Sequence, residues 1–245
     1  MSTLETVTEQ ASGLEYYRAA IRSKILLVVF LLLALVLLTL ASLGLGAARI
    51  GMSDMAAVLT GRLAHPDATS GAHILLAIRL PRVLLGIVGG MGLAVSGAVM
   101  QAVLRNPMAS SYTLGVSSAA GFGATLAIGL GWGVWGGKYL LVANAFLFGM
   151  MSMGLVYGIA RIKGAGPSTL ILAGIAVSYF FSALVALVKY IVSHDVLAGI
   201  VYWLMGGLNL ASWDHLFVLA PLVTAPALLL VFKYAWDLNL SLIHI

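Results

Sequence analysis

The sequence predicts an all-α protein, a polytopic membrane bundle of about six transmembrane helices. Of its 245 residues, 62% are hydrophobic and only 9% are charged, whereas a soluble domain carries about 25% charged residues. Several apolar runs reach the roughly 20 residues needed to cross a bilayer core of about 30 Å. The 28 glycines fit helices that pack closely in lipid.

The charge and the reactive residues exclude several classes of function. A net charge of +5 is typical of Lys and Arg kept near a cytoplasmic membrane surface, and we expect no nucleic-acid partner. The chain has no cysteine, which rules out disulfides, Fe–S clusters and thiolate zinc sites. The five histidines are scattered without an H-E-x-x-H pattern. We therefore expect neither a metal site nor a cofactor.

The N-terminal part divides into a polar tail, a first span and a loop. Residues 1–24 are predicted to be a cytoplasmic tail. The apolar run 25–48 exceeds the 7–15 or so residues of a secretory signal core and is predicted to be a retained first span. In the loop that follows, a short helix is predicted over 53–61, with Ser53 as N-cap and Gly61 as its end.

Five further spans are separated by breaks rich in glycine, proline or charge. The second begins near Pro81, because proline suits the first turn of a helix, and ends before the Asn-Pro turn of 105–113. The others are predicted over 114–130, 139–160, 169–192 and 213–232, with a short interrupted helix inside 193–211.

Both termini lie on one side of a six-span bundle, and we expect that side to be the cytoplasm. Seven Lys and Arg residues then flank the inside ends and six flank the outside ends, so the positive-inside rule barely decides the orientation. Four arginines fall in one outside loop: Arg49, Arg62, Arg79 and Arg82. Arg79 and Arg82 either anchor a helix end in phosphate headgroups or receive an acidic partner, and the residues alone favour the anchor.

The polar residues inside the spans are few. Gly86 and Gly90 form a G-x-x-x-G pair suited to close helix packing. Gln101 and Asn144 are the main polar exceptions, which we interpret as interhelical hydrogen-bonding groups. An ion-coupled carrier or an intramembrane enzyme would place ionisable residues here. The chain is then either a passive pore or a subunit energised by another protein.

Residues 79–121 resemble the FecCD family of permeases, the membrane subunits of type II ABC importers for iron–siderophores, haem and cobalamin. The family pattern runs R-L-P-R, a small-residue helix ending S-G-[AL]-x-x-Q, R-N-P-[LM]-A and L-G-[IV]-S-S-G-A, and this sequence follows it nearly throughout. Gln101, Asn106, Pro107 and Gly115 stand at matching positions. The segments 170–178 and 202–213 continue the likeness.

Two departures from the family pattern affect our expectations. Ser110 and Ser111 replace an Asp-Pro, which is expected to loosen that turn. Family members have about ten spans, so residues 25–240 are expected to be an incomplete permease domain. Residues 241–245 are expected to be a non-native tail, with Ile243, His244 and Ile245 foreign to the pattern. Such a fragment, lacking four spans and the coupling helices, is expected to be inactive.

The resemblance implies a transport function without catalysis by this chain. It implies import of a ferric siderophore, or a related chelate such as haem or cobalamin, across the bacterial inner membrane through a smooth path with few polar contacts. The implied partners are ABC ATPase subunits, a substrate-binding protein, a second permease chain and membrane lipid. Arg79 and Arg82 would dock the binding protein. Pro167, Ser168 and Thr169 would form a cytoplasmic gate, where Ser168 also suits a helix N-cap.

Two other classes of function remain as alternatives. A secondary carrier or passive channel would need no ATPase, but the scarcity of charge in the spans argues against a coupled carrier. A membrane scaffold or an intramembrane enzyme would need a partner surface or a catalytic pair that the sequence does not display.

Overall fold

The computed structural model describes residues 3–46, 71–133, 136–164 and 166–243. Across these ranges the regular structure is entirely helical, which confirms the predicted all-α class. The seven longer helices are α1 (Thr3–Gly44), α2 (Leu80–Leu104), α3 (Val116–Leu130), α4 (Leu140–Lys163), α5 (Pro167–Ile191), α6 (His194–Met205) and α7 (Trp213–Ile243). The predicted helix 53–61, Arg49, Arg62, His244 and Ile245 lie outside the described residues.

Five of the six predicted spans are helices long and apolar enough to cross a membrane. These segments are Ile21–Gly44, Gly71–Leu104, Leu140–Lys163, Pro167–Ile191 and Trp213–Leu230. The third predicted span is α3, which has 15 residues and falls short of the roughly 20 needed for a bilayer core. The interrupted helix predicted after α5 is instead continuous in α6 and ends at Gly206, whose φ is 77°.

The first of two compact units covers Met1–Leu84. Within it α1 runs without a break from the polar tail into the apolar span. From Ile21 to Ser42 its side chains are almost all exposed, as expected of a helix that meets lipid or further protein. Burial begins at Leu43, at the end of the helix, and recurs at Ala72 and Leu75.

The helical backbone of the second span starts ten residues before the predicted position at Pro81. A short α-helical turn at Gly71–His73 leads into a π-helical segment, Ile74–Arg79, which continues into α2. Proline has no N–H, and its ring clashes with the carbonyl four residues back. The Leu80 N–H bonds to the Leu75 carbonyl, five residues back. This wider turn makes room for the ring, so Pro81 does not start the helix.

The second unit covers Leu85–Ile245, and α3 is its central helix, packed against α4, α5 and α6. Helix α4 runs antiparallel to α3, so that the start of α3 meets the middle of α4: the Ser152 hydroxyl donates to the Leu114 carbonyl at 3.1 Å. Helix α5 runs in the same direction as α3. An added Cβ at Gly115 would approach Gly174 and Ser178, and one at Gly129 would approach Val188 and Val192.

A buried apolar cluster joins α3, α4 and α5. Its members are Leu114, Ala119, Val156, Ala173, Val177 and Phe181. Phe148 lies edge-to-face with Phe122 at a centroid distance of 5.2 Å and with Phe181 at 6.3 Å. Such geometry is favourable beyond the burial of apolar area. This cluster fixes α5 against α3.

Asn144 and Gln101, both predicted to bond between helices, behave differently. Asn144 is 2% exposed, and its Nδ2 donates to the carbonyls of Gly123 at 3.3 Å and Trp132 at 2.6 Å. It therefore links α4 to α3 and to the turn after α3, as predicted. The Gln101 amide instead donates to the Pro107 carbonyl at 3.1 Å. The interhelical prediction is wrong for Gln101, because the chain turns back on the same helix end.

The hydroxyl of Thr125 is a buried polar group without a hydrogen-bond partner among the described residues. Thr125 lies in α3 and is 1% exposed. Leaving such a group unpaired costs about 1–3 kcal/mol. We expect Thr125→Val to raise the unfolding free energy by about 1 kcal/mol, because a methyl group replaces the hydroxyl at nearly the same volume.

Unfolding by sodium dodecyl sulfate, followed by circular dichroism, measures this change. Thr125→Ser is the matched control, since it keeps the hydroxyl and removes the methyl group. It should be no more stable than the parent. A Thr125→Val protein that is less stable than Thr125→Ser would contradict the assignment.

Candidate functional site

In the first unit, the Arg79 side chain caps the C-terminal end of helix α1. Its Nη1 donates to the Leu43 carbonyl at 2.6 Å, and a Cβ added at Gly46 would overlap the guanidinium. The last carbonyls of a helix lack intrahelical partners and carry partial negative charge, so a cation there is favourable. Arg79 thus has a structural role inside the chain, besides any role toward a partner.

Arg82 lies three residues after Arg79 on the same continuous helix, so both side chains leave the same face. Both are half-buried, and both engage further groups of the protein. The two predicted docking residues therefore lie within about one turn of each other on the same helix.

In the second unit, helix α2 ends in a six-residue hydrogen-bonded motif. The Asn106 N–H bonds to the Gln101 carbonyl at 3.1 Å, and the Arg105 N–H bonds to the Ala102 carbonyl at 3.4 Å. This is the Schellman pairing, which requires a left-handed residue after the helix. Here that residue is Arg105, with φ of 46°. Glycine is the usual occupant, because a Cβ is disfavoured in this conformation.

The predicted turn that follows is held by side chains of the family motif. Asn106 Oδ1 accepts the Met108 N–H at 2.9 Å, and the Ala109 N–H bonds to the Asn106 carbonyl at 3.1 Å. Ser110, which departs from the family pattern, accepts the Tyr112 N–H on its hydroxyl at 3.3 Å. Gln101, Asn106 and Pro107 therefore form one helix-ending structure.

We expect Arg105→Gly to raise the unfolding free energy by about 1 kcal/mol. Left-handed backbone costs an L-residue about 1–2 kcal/mol, and part of the gain is lost to the greater freedom of glycine in the unfolded chain. Detergent unfolding again measures the change. Arg105→Ala, which keeps the Cβ, should stay close to the parent. If the alanine variant gained as much as the glycine variant, relief of backbone strain would not be the cause.

Gly115 lies where the same turn enters α3 and meets α5. Its φ is 73°, and an added Cβ would lie 2.9 Å from Ser178 Oγ and 3.0 Å from the Gly174 carbonyl oxygen. Gly174 is equally constrained, since a Cβ there would overlap the Thr113 carbonyl and lie 2.9 Å from Leu114 Cα. The two glycines thus let the turn rest directly on the backbone of α5.

Among the described residues, only one glycine of the G-x-x-x-G pair of α2 packs against another part of the chain. A Cβ on Gly86 would approach Leu208 at 3.2 Å, whereas one on Gly90 would meet no described residue within 4 Å. Gly92, two residues on, packs tightly instead, with Val223 of α7 at 2.9 Å from an added Cβ. Gly90 therefore presents an open small-residue surface.

The predicted gate residues form the first turn of α5. Pro167 is the first helical residue, and Gly166 is the N-cap, in extended conformation with φ of −73° and ψ of 155°. Pro167 and Ser168 are exposed and Thr169 is half-buried. The prediction that Ser168 caps the helix is wrong, because Ser168 lies inside the first turn and the cap carries no side-chain hydrogen bond.

A cavity of about 360 Å³ lies between α3, α5 and α6. It is lined by Ser117, Ser118, Gly121, Ser182, Val185, Ala186, Lys189 and Leu204. Its polar groups are three hydroxyls and one ammonium, and no carboxylate is among the lining residues. Its volume lies at the lower end of the range for small-molecule sites, about 300–1,000 Å³.

Sequence reasoning missed this cavity. Serine is a common small packing residue in membrane helices, and a lysine near a helix end commonly reaches the membrane surface, so neither residue type by itself indicates a cavity. In the structure Lys189 lies in the last turn of α5, is half-buried and lines the same cavity as the serines. The available signal was a lysine within a span otherwise without charge, since ionisable residues in membrane helices are commonly functional.

Five described helices are long and apolar enough to cross a membrane, which places this chain among multi-pass membrane proteins. The chain belongs to the FecCD transport family, which matches residues 32–243. Relatives of this chain are named as permease proteins of import or transport systems.

Two relatives and one solved structure illustrate the likeness. The molybdate import system permease MolB of Haemophilus influenzae is 34% identical over 214 residues, covering 86% of this chain and 62% of that protein. The hemin transport system permease HmuU of Yersinia pestis is 35% identical over 214 residues, covering 86% and 63%. An inward-facing structure of a metal-chelate type ABC transporter is 33% identical with a TM-score of 0.71, covering 88% of this chain and 64% of the other. The chain thus spans less than two thirds of the length of each.

Proposed function

We propose that this chain is part of the membrane permease of an ATP-driven ABC importer for a metal chelate. The observation that carries the proposal is the ordered series of helix-ending and junction residues of the second unit: Gln101, Asn106, Pro107 and Gly115. They are the residues of the family pattern, and the structure gives each a defined contact. The TM-score of 0.71 to a metal-chelate type transporter supports the same class of cargo.

The cargo we propose is a ferric siderophore or a related metal chelate. The relatives named above are permeases for molybdate and for hemin, so the family handles metal-containing small molecules of different size. Within that range, a ferric siderophore is our specific proposal, and haem or cobalamin is the next.

The proposed assembly contains two permease chains, two ABC ATPase subunits and a substrate-binding protein, in the bacterial inner membrane with the N-terminus in the cytoplasm. ATP hydrolysis occurs in the ATPase subunits and moves the helical bundles. The start of α5, at Pro167, Ser168 and Thr169, is the proposed cytoplasmic gate. Its exposed first turn leaves room for a neighbouring chain.

Uptake of radioactive iron as a ferric siderophore tests this function, in proteoliposomes that contain the full-length permease of which this chain is proposed to be part, with its ATPase and binding protein. We expect uptake to require ATP hydrolysis and to persist when a protonophore collapses the proton gradient. An ATPase subunit unable to hydrolyse ATP is the control. Uptake that continues with that subunit and stops with the protonophore would instead establish a secondary carrier.

A further inference from the structure

We propose that the cavity between α3, α5 and α6, hereafter the serine–lysine cavity, binds the anionic oxygen atoms of the transported molecule. This inference rests on the proposed transport function and assigns a ligand chemistry to one place in the second unit. The residues that carry it are Ser117, Ser118, Ser182 and Lys189. The occupant is a carboxylate or another oxyanion of the cargo.

The arrangement of the polar groups follows from the directions of the helices. Since Gly115 of α3 lies beside Ser178 of α5 and the two helices run the same way, Ser117 and Ser118 lie near the level of Ser182. Lys189 lies seven residues further along α5, about 10 Å at 1.5 Å per residue. The cavity therefore offers hydroxyl donors at one end and an ammonium toward the other.

Three features of the cavity favour negative charge. Lysine carries three N–H donors and no acceptor. The serine hydroxyls can each donate one hydrogen bond to an oxyanion. Ser117 and Ser118 belong to the first turn of the 15-residue helix α3, where free backbone N–H groups and the helix dipole also favour an anion. No carboxylate among the lining residues opposes them.

The cavity modifies the expectation of a smooth path with few polar contacts. Lys189 lies in the last turn of α5, and its ammonium and the three serine hydroxyls of the same cavity are all able to donate to a ligand of opposite charge. Lys189 is half-buried and reaches a cavity bounded by apolar Val185, Ala186 and Leu204. A charge-assisted hydrogen bond is stronger in such partly desolvated surroundings than in water. An anionic chelate would therefore bind here transiently during transport.

The absence of cysteine from the sequence allows a direct test of occupancy. The chain with Ser182→Cys, in phosphatidylcholine nanodiscs, is treated with the uncharged reagent methyl methanethiosulfonate, with and without citrate as the anionic probe. We expect citrate to slow modification saturably, by about tenfold at about nine times its Kd, because only the unoccupied cavity reacts. Xylitol, an uncharged polyol of similar size, should give no protection.

Two matched variants locate the effect. Ser193→Cys, an exposed serine on the link between α5 and α6, should be modified equally with and without citrate. In the Ser182→Cys background, Lys189→Gln should abolish protection and Lys189→Arg should retain it. Each variant is first checked by gel filtration and circular dichroism, and only folded protein is compared.

Several outcomes would overturn the proposal. One is the absence of citrate protection at Ser182→Cys in folded protein, and another is equal protection by xylitol. Protection that appears only with phosphatidylglycerol in the nanodiscs, and not with citrate, would make a lipid headgroup the occupant. The experiment uses neither ATPase nor binding protein, so its failure is distinct from a failure of ATP-dependent uptake.

Discussion

Gly174→Ala is expected to lower the unfolding free energy by about 3 kcal/mol, the upper part of the usual range for an overpacked core. The added Cβ would overlap the Thr113 carbonyl and lie 2.9 Å from Leu114 Cα. Both contacts are with backbone, so no side chain can rotate away. The turn would have to move off α5, and the Ser152 bond to the Leu114 carbonyl would be strained with it.

Gly158→Ala is the matched control for this variant. Gly158 lies inside α4, and a Cβ there would meet nothing within 4 Å. Because alanine is the better helix former by about 1 kcal/mol, this variant should be neutral or slightly more stable. Unfolding in detergent and retention in the membrane after expression measure both. Equal effects of the two substitutions would contradict the close contact at Gly174.

In the full-length permease, reversing the charge of Arg79 and Arg82 together is expected to abolish uptake that depends on the binding protein. Guanidinium groups pair with carboxylates in a bidentate and directional way, and charge complementarity controls docking geometry and association rate. The double variant Arg79→Glu, Arg82→Glu would place two carboxylates opposite the acidic partner that we propose. The measurement is binding-protein capture by the inserted permease, together with uptake.

The contact of Arg79 with helix α1 requires a control for structure. Loss of its bond to the Leu43 carbonyl would itself weaken the end of α1, so Arg79→Gln with Arg82→Gln separates loss of charge from reversal. The decisive experiment uses a binding protein whose acidic docking residues are changed to arginine. It should restore capture to the reversed permease and not to the neutral one. Normal uptake by the reversed permease would exclude the docking role.

Much of the fold could be predicted because apolar runs and breaks are encoded locally. The turn at 105–113 follows from Asn106 and Pro107, whose backbone preferences operate within a few residues. The start of the second span could not be placed in this way. Pro81 indicates a helix start by local rules, but a π-helical turn accommodates it inside a longer helix. That choice depends on the whole segment and not on the proline alone.

The candidate site was less accessible to sequence reasoning, because it depends on which helices become neighbours. Serine is both a small packing residue and a hydrogen-bond donor, and only the parallel placement of α3 and α5 brings Ser182 beside Ser118. The N-cap at Gly166 was missed for a different reason. A glycine N-cap has no side chain that a sequence pattern could identify. Ser168, two residues later, is of a residue type that N-caps favour.

The short length of α3 has a consequence for the order in which the protein is assembled. Its start lies beside Gly174, about 10 Å from the beginning of α5 at 1.5 Å per residue, so the non-helical backbone before it rests at the depth of a spanning helix. Hydrocarbon cannot satisfy such backbone, which is stable only against protein or water. We therefore expect the turn before α3 to become stable in lipid only after α5 has packed against it.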